Sequence, residues 1–396
     1  MSFKLWLSNL NNRLFTVRRH IQILVSKVIH GLMLLQDQKI DRHVVVFESD
    51  DWGSIRMPSL EALRRLQAQG AHVALPQSYD SLDTLASNDD LELLMEVLSS
   101  VKDGNGHPAR ITLNCCVANP DFAKIRESGF QKYFYEPFTE TLKHYPHHDR
   151  SFALWLEGME HGVFRPQFHG REHLRPQKWL RSLQAGNPQL RAAFDEGCYS
   201  VGIPSEAARP EYFLEAYKIE EASEQDFVRQ SVREGLDLFE RLFGFRSESM
   251  IAPCYTWDDY IETEARAGGV RCFQGSYIQK HSPWQRRLGR RVTGHYFGEI
   301  NQYGQCYLVR NCSFEPSQVT ADTADSCLFC IGKAFASHRP AVVSCHRLNF
   351  IGELQPANRD RNLREFKRLL KMVCEKFPDA EFISSDELGR LLGECQ

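Results

Sequence analysis

Val44-Val-Val-Phe-Glu-Ser-Asp-Asp-Trp-Gly53 is an apolar run that ends abruptly in two adjacent acids, Asp50 and Asp51. Short, β-branched segments of this kind are typical of parallel strands that are buried on both faces. The end of such a strand is where β/α proteins place their functional side chains. Seven further segments have the same character and are predicted as strands: residues 111–117, 163–168, 250–252, 270–273, 307–309, 341–344 and 381–383.

Helical patterns separate these predicted strands. The clearest covers residues 225–243, where apolar residues recur at helical spacing, Ser223 is the predicted N-cap and Gly244 ends the helix. An alternation of strand and helix that repeats about seven times predicts an α/β fold with a closed or nearly closed barrel, and not two separate domains. The other predicted helices cover residues 59–69, 90–101, 177–184, 259–267, 320–336, 362–376 and 385–392.

The barrel is predicted to occupy residues 41–396. No linker rich in Pro, Gly or Ser divides this part of the chain. Residues 120–162 and 197–222 are predicted loop insertions near the mouth of the barrel, where such proteins build their sites.

Residues 1–40 are predicted to form a helical extension ahead of the barrel. Residues 13–35 are partly apolar, but Arg18, Arg19 and Lys27 interrupt the run, so no uncharged span reaches the ~18 residues of a transmembrane helix. This basic amphipathic helix either packs on the barrel or a second subunit, or attaches to a membrane surface. The chain start shows no secretory signal. We therefore expect a cytoplasmic protein, with peripheral contact to the inner membrane surface as the alternative.

The composition is that of an ordinary globular chain. Its 396 residues are 42% apolar and 25% charged, with a formal net charge of −3, which gives no general attraction to nucleic acid or to an anionic membrane. The 12 cysteines are scattered, which favours free thiols in a reducing compartment. Cys327-Leu-Phe-Cys330 is the only Cys-x-x-Cys pair, and a single pair does not predict a structural zinc site.

Phe168-His-Gly-Arg-Glu-His173 contains two histidines four residues apart, directly after a predicted strand. On a helical turn, residues at this spacing share one face, so His169 and His173 can bind one metal ion and, with a carboxylate, activate water. Successive strand residues point in opposite directions, so one of Asp50 and Asp51 can bind the cation while its neighbour faces substrate. The alternatives are an ordinary turn for the acid pair and surface or core roles for the histidines.

Two later segments carry further candidates. The predicted strand of residues 341–344 is followed by Cys345 and His346, and a histidine there is suited to act as a general acid, with a purely structural histidine as the alternative. Ala252-Pro-Cys-Tyr-Thr-Trp257 follows another short strand and offers a backbone N–H near Tyr255 together with an aromatic wall. In a barrel, both segments lie at the same face as the acid pair.

The order of these motifs resembles that of the polysaccharide deacetylase family (carbohydrate esterase family four) over residues 43–390. The resemblance implies a distorted (β/α)7-type barrel of the glycoside hydrolase/deacetylase kind. It also implies removal of acetyl groups from N-acetylated sugars with a bound divalent cation, most often Zn2+. Carried over by position, the resemblance assigns the general base to Asp50 and the general acid to His346. The metal ligands it implies are Asp51, His169 and His173.

The chain departs from the family's motifs at one turn. The family's Arg-x-Pro-Tyr turn corresponds to residues 250–255, where no arginine is present. In the family that arginine holds the catalytic aspartate, and the candidates to replace it are Arg56, Arg171 and Arg347.

Aromatic residues near these motifs are the predicted substrate-binding residues: Trp52, Tyr255 and Trp257. The family's Asp-Trp motif has no clear counterpart near residues 272–275.

The expected partner is an acetylated sugar from polysaccharide or glycolipid precursor metabolism, and not a nucleic acid. A cytosolic enzyme meets nucleotide-linked or lipid-linked sugars before finished polymer. The alternatives are a catalytically inactive carbohydrate-binding barrel, a metal-dependent hydrolase of another amide, and a glycosidase-like barrel with a second acid opposite Asp50. The sequence identifies neither the sugar, nor the metal, nor the oligomeric state.

Overall fold

The computed structural model describes residues 31, 34–71, 79–204, 210–318 and 323–394. The predicted amphipathic helix of residues 13–35 lies almost entirely outside these ranges, as does the start of the predicted helix at 320–322. In the described part of the chain, no helix has the length and apolar character needed to cross a bilayer.

Parallel strands and the helices between them make up the fold. The strands are β1 (Val44–Trp52), β2 (Ile111–Cys115), β3 (Ala118–Pro120), β4 (Tyr135–Pro137), β5 (Phe164–Phe168), β6 (Ser249–Ile251), β7 (Cys272–Gly275), β8 (Ile278–Lys280), β9 (Val292–Gly294), β10 (Cys306–Val309), β11 (Cys312–Ser313), β12 (Ala341–His346) and β13 (Glu381–Phe382).

The helices follow the same alternation. They are α1 (Leu60–Ala68), α2 (Tyr79–Leu82), α3 (Asn88–Ser99), α4 (Phe122–Glu127), α5 (Phe138–Leu142), α6 (Ser151–Glu160), α7 (Pro176–Gln184), α8 (Pro188–Asp195), α9 (Gln225–Phe243), α10 (Asp259–Ala267), α11 (Pro283–Arg287), α12 (Thr323–Ala336), α13 (Pro356–Lys376) and α14 (Ser385–Glu394).

The main sheet has the strand order β10-β7-β6-β5-β2-β1-β12-β11, with β13 beside β1, and its ladders are parallel. Its two edge strands, β10 and β11, are consecutive in the chain and are separated only by Arg310 and Asn311. The sheet therefore curves round until its edges nearly meet. If β10 and β11 are counted as one bent strand and β13 is left aside, the sheet consists of seven neighbouring strands. This is a distorted (β/α)7 barrel, as the sequence predicted.

The first strand shows why the barrel strands are apolar and yet end in acids. All nine residues of β1 are buried. Phe47 points outward and packs edge-on against Phe366 of α13, with ring centroids 5.0 Å apart. Glu48 and Asp50 point inward, where both contact Arg310. Burial on both faces accounts for the lack of polar alternation in Val44–Phe47.

The helices that the sequence predicted differ from the structure mainly at their ends, but the structure also has helices where none was predicted, namely α2, α4, α5, α6, α8 and α11. Helix α9 has the predicted bounds and ends at Gly244, whose φ of 75° is favourable for glycine. However, Ser223 does not cap it, because residues 222–224 form a separate 3₁₀ turn and no side chain caps α9. Helix α3 begins two residues earlier than predicted, because Ser87 and Asp90 form a capping box.

Candidate metal centre

A backbone distortion at the end of β1 brings both acids to one cavity. The register of β1 against β2 shifts between Ser49 and Trp52, and Asp51 has a φ of 73°. In a regular strand, Asp50 and Asp51 would point to opposite sides. The bulge instead turns Asp51 back, and both carboxylates line the same cavity. The predicted opposite orientation of the two side chains is therefore wrong.

The two histidines lie on an extended segment and not on the predicted helical turn. The His169 N–H donates to the carbonyl of Cys115 at 2.8 Å, and the carbonyl of Gly170 accepts from Val117 at 3.2 Å. These bonds continue the pairing of β2 and β5 beyond the strands. The pairing runs on through Arg171, whose carbonyl accepts the N–H of Ala118 at 2.7 Å. The rings of His169 and His173 lie close together, with centroids 5.0 Å apart.

Asp51, His169 and His173 form a compact and buried group. One ligand atom from each lies within 4.8 Å of the others. The Nε2 atoms of His169 and His173 each lie 3.3 Å from Asp51 Oδ1. His169 Nδ1 lies 2.9 Å from the carbonyl of Ile251, so in the neutral ring this nitrogen carries the proton and donates. The lone pair of Nε2 is then directed at the centre of the group.

The electrostatics of this group suit a cation. Burial lowers the pKa of His173 to about 3, so the ring is neutral and its lone pair is available. Burial alone would raise the pKa of the Asp51 carboxyl, but Arg56 and the histidines lower it well below its usual range. Two imidazoles and one carboxylate are the donor set of a catalytic zinc site, and these residues therefore fit a divalent cation.

Arg310 holds the neighbouring Asp50, and sequence reasoning missed it. Its Nη1 and Nη2 atoms each donate to a different oxygen of Asp50 at 2.7 Å, and its Nε donates to Glu48 at 2.6 Å. Asn114 adds a bond to Asp50 at 2.8 Å. Burial alone would raise the pKa of Asp50, but Arg310 lowers it, whereas burial keeps the pKa of Glu48 raised. The guanidinium therefore keeps the negative charge on Asp50.

The arginines predicted to hold Asp50 have other partners. Arg56 donates to Asp51 and pairs with Asp83, both at 3.1 Å. Arg347 also pairs with Asp83, at 2.8 Å. Arg171 pairs with its neighbours Glu172 and Glu234. Arg310 follows the predicted strand of residues 307–309, so attention to charged residues at strand ends would have identified it.

His346 lies beside Asp50 at the same cavity as the metal ligands. Its Nε2 is 3.9 Å from Asp50 Oδ2, and its Nδ1 is 2.5 Å from Glu315 Oε1. Asn349 holds the other oxygen of Glu315 at 2.8 Å. Burial alone would lower the pKa of His346, but Glu315 and the two aspartates raise it to about 9. The imidazole is therefore protonated at neutral pH. Glu315 is a second residue that sequence reasoning missed.

A cavity of about 280 Å³ opens onto these groups. Leu214, from the predicted insertion of residues 197–222, forms part of its wall. The other lining residues are Asp50, Asp51, Arg56, Tyr79, His169, His173, Ile251, Ala252, Cys254, Tyr255 and His346.

Tyr255 is the predicted substrate-binding residue that lies at this cavity. Trp52 and Trp257 do not: both are 1% exposed, because Trp52 packs edge-on against Trp155 and Trp257 stacks on Phe273 in the core. The predicted role of a backbone N–H near Tyr255 also needs correction. The Tyr255 N–H donates to the carbonyl of Ala252 at 3.0 Å, within its own turn.

The fold and the site together define a (β/α)7 barrel with a candidate two-histidine, one-carboxylate metal centre at the carboxyl ends of its strands. No family model matches the sequence, and no curated protein matches it.

Solved structures resemble the chain in fold. A protein from Parabacteroides distasonis, provisionally described as a glycoside hydrolase/deacetylase, is 10% identical with a TM-score of 0.48, over 90% of this chain and 73% of its own. PuuE allantoinase is 9% identical with a TM-score of 0.43, over 88% and 90%. A provisionally described polysaccharide deacetylase from Mycobacterium smegmatis is 10% identical with a TM-score of 0.40, over 89% and 90%. Likenesses at this level carry no argument about activity, which has to be derived from the site.

Proposed function

We propose that this protein is a metal-dependent hydrolase that removes acetyl groups from N-acetylated sugars in polysaccharide or glycolipid precursor metabolism. The observation that carries the proposal is the convergence of Asp51, His169 and His173 to within 4.8 Å, beside an ionised Asp50 and a protonated His346. This arrangement combines a cation site with a base and an acid, which are the groups that amide hydrolysis needs.

Asp51, His169 and His173 are the residues that would hold the cation, and the donor set favours Zn2+. A divalent cation bound there acidifies a water molecule and polarises the acetyl carbonyl. Arg56 stabilises the Asp51 carboxylate on the side away from the histidines, through its bond to Oδ2 at 3.1 Å.

Asp50 acts as the general base. Its Oδ1 atom accepts from both Asn114 and Arg310, whereas Oδ2 accepts only one of the two Arg310 bonds and faces His346. The remaining lone pair of Oδ2 is therefore the one available for a proton of the attacking water. As that proton moves to Asp50, the water oxygen adds to the acetyl carbon.

His346 acts as the general acid. Glu315 holds its Nδ1, so the Nε2 proton faces the cavity beside Asp50. When the C–N bond breaks, Nε2 gives this proton to the departing sugar nitrogen. The products are the free amine and acetic acid, which gives up its proton to solvent to become acetate. The proton on Asp50 passes to His346, directly or through solvent, and this restores both groups.

The alternative functions have less support. The inactive-barrel alternative rested on the missing motif arginine, and Arg310 makes the bidentate contact with Asp50 that this arginine was expected to make. A glycosidase needs a second acid across the cleft from the first. Among the described residues that line the cavity, the acids are Asp50 and Asp51, which are adjacent in the chain.

The proposed substrate is a cytoplasmic sugar precursor that carries an N-acetyl group. A cavity of about 280 Å³ is at the small end of ligand sites, which suits the acetylated end of a substrate better than an extended polymer segment.

The test measures bound metal and acetate release on the same purified protein. We expect about one zinc-like ion per chain by elemental analysis, and acetate release from nucleotide-linked or lipid-linked N-acetylated sugars that stops when a chelator removes the ion. No stoichiometric metal after incubation with zinc, cobalt, manganese or nickel would disprove the mechanism. Stoichiometric metal with release from a non-sugar amide, and none from the sugars, would keep the mechanism and overturn the substrate.

A further inference from the structure

The loop that follows β7 carries a strongly basic and apolar surface. We call residues 278–294 the basic hairpin; it contains β8, α11 and β9, and β8 pairs with β9 antiparallel. Five of its residues are lysine or arginine and none is acidic. Every residue of the stretch Arg286-Arg-Leu-Gly-Arg-Arg-Val292 is exposed. Arg290 pairs with Asp259 of α10 at 2.5 Å, and the remaining basic residues still give this loop a local positive charge that the net charge of −3 for the whole chain conceals.

Large aliphatic side chains are exposed among these arginines. Leu288 is 65% exposed, Val292 59% and Ile278 48%. Basic residues interleaved with exposed aliphatic ones are typical of surfaces that lie in the headgroup region of a membrane. A surface for single-stranded nucleic acid instead combines basic residues with exposed aromatic platforms, and the exposed apolar residues here are aliphatic.

The base of the basic hairpin is firmly held. His281 is fully buried and lies 3.1 Å from Asp258 and 2.7 Å from Thr293. Asp258 also accepts the N–H of Ser282 at 3.2 Å, and the Ser282 hydroxyl accepts the N–H of Ile219 at 3.1 Å. These contacts fix both strands to the barrel, so the exposed stretch projects from a rigid base.

The basic hairpin stands beside the mouth of the cavity. It follows the carboxyl end of β7, which is the barrel face that carries the site. Lys280 Nζ donates to the carbonyl of Cys254 at 3.1 Å, and Cys254 lines the cavity. A surface on which the basic hairpin docks would therefore lie next to the cavity entrance.

We propose that the basic hairpin docks this protein on an anionic membrane surface, with its arginines at the lipid phosphates and Leu288 and Val292 in the interfacial layer. This inference goes beyond the proposed function and does not depend on it, because it concerns binding alone. It also differs from the predicted contact through residues 13–35.

The test is co-sedimentation of the full chain with phosphatidylcholine vesicles, with and without phosphatidylglycerol. The hairpin variant replaces Arg287, Leu288 and Arg291 with serine. The matched control replaces Arg364, Lys371 and Phe329 with serine, which also removes two positive charges and one exposed apolar side chain, on α12 and α13. Unchanged thermal unfolding shows that each variant is folded.

We expect salt-sensitive binding to the anionic vesicles and much weaker binding to the neutral ones. The hairpin variant should bind at least about tenfold more weakly, since each lost arginine contributes about fivefold near an anionic surface, and the control should bind as the wild type does. Unchanged binding of the hairpin variant would overturn the proposal and place the attachment elsewhere, residues 13–35 included. The proposal would also be overturned if the wild type did not bind anionic vesicles. It would be overturned as well if Leu288→Ser bound them with full affinity, because binding would then depend on charge alone, as at a general polyanion site.

Discussion

The candidate site has two halves that differ in how the chain builds them. The metal half consists of Asp51, His169 and His173, which come from the ends of β1 and β5. The acid–base half consists of Asp50, Arg310, Glu315 and His346, and its bidentate ion pair joins Asp50 to a residue 260 positions further along the chain. The metal half consists of one carboxylate and two imidazoles, whereas the acid–base half is a network of opposite charges.

This difference implies that the two halves can fail separately. A metal ligand contributes one bond to a shared ion, so its loss removes the ion and everything that depends on it. A member of the acid–base half acts on the protonation and orientation of a neighbour, so its loss should leave the ion in place. Variants of the metal half should therefore lose metal and turnover together, whereas variants of the acid–base half should lose turnover and keep the metal.

The largest effect is expected for His169→Ala. Removing one of three protein ligands should abolish both stoichiometric metal binding and acetate release. The matched control is His107→Ala, at a histidine whose side chain is 69% exposed, which should keep both. Elemental analysis and an acetate assay on the same samples check the prediction, and an H169A protein with a full complement of metal would remove this histidine from the ligand set.

His346→Ala should keep the metal and slow turnover by about 10²–10⁴-fold, which is the usual contribution of a general acid. The same two assays apply. Normal turnover in this variant would exclude His346 from the mechanism. Loss of the metal would show that the two halves are not independent.

Arg310→Met should retain the metal but reduce turnover by roughly 10²-fold, because Asp50 loses its bidentate partner and its pKa rises. It should also lower the free energy of unfolding by about 3–5 kcal/mol, since two carboxylates are left buried without their guanidinium.

Arg339→Met is the matched control for this variant. Arg339 is partly buried and pairs with the buried Asp37 at 2.8 Å, away from the cavity, so its loss should destabilise the fold and leave the turnover of folded protein unchanged. Equal turnover in the two variants would mean that Arg310 serves folding alone.

The features that the sequence predicted belong mainly to the metal half of the site, and the residues that it missed belong to the acid–base half. The apolar strand and its terminal acids, together with the histidine pair, are local patterns, and they predicted the barrel and the residues that meet at the metal half. The bulge that turns Asp51 is set by pairing with β2, and pairing with the segment at and beyond the end of β2 keeps residues 169–171 extended, so the predicted orientations were wrong. Arg310 and Glu315 have no motif of their own. Their significance depends on the curvature of the sheet, which brings Arg310 after β10 to Asp50 of β1 and Glu315 after β11 to His346 of β12.

The smallest effect, and the most specific one, is expected for Glu315→Gln, which keeps the shape of the side chain and removes its charge. Burial lowers the pKa of His346, and Glu315 is the foremost group that raises it, to about 9. Because the folded pKa lies above the ordinary value, the pair stabilises the fold fully below pH 6.5, and this contribution is lost as the pH rises through about 9.

A general acid with this pKa remains protonated through neutral pH, so loss of its proton should lower the turnover of the wild type on the alkaline side. In Glu315→Gln that alkaline limb should move to lower pH by about 1–3 units, with turnover near the acidic plateau little changed and the metal retained. A bound cation acts on His346 in both proteins alike, so the difference between their pH profiles isolates Glu315. Superimposable profiles would mean that another group sets the alkaline limb, and that Glu315 only orients the ring.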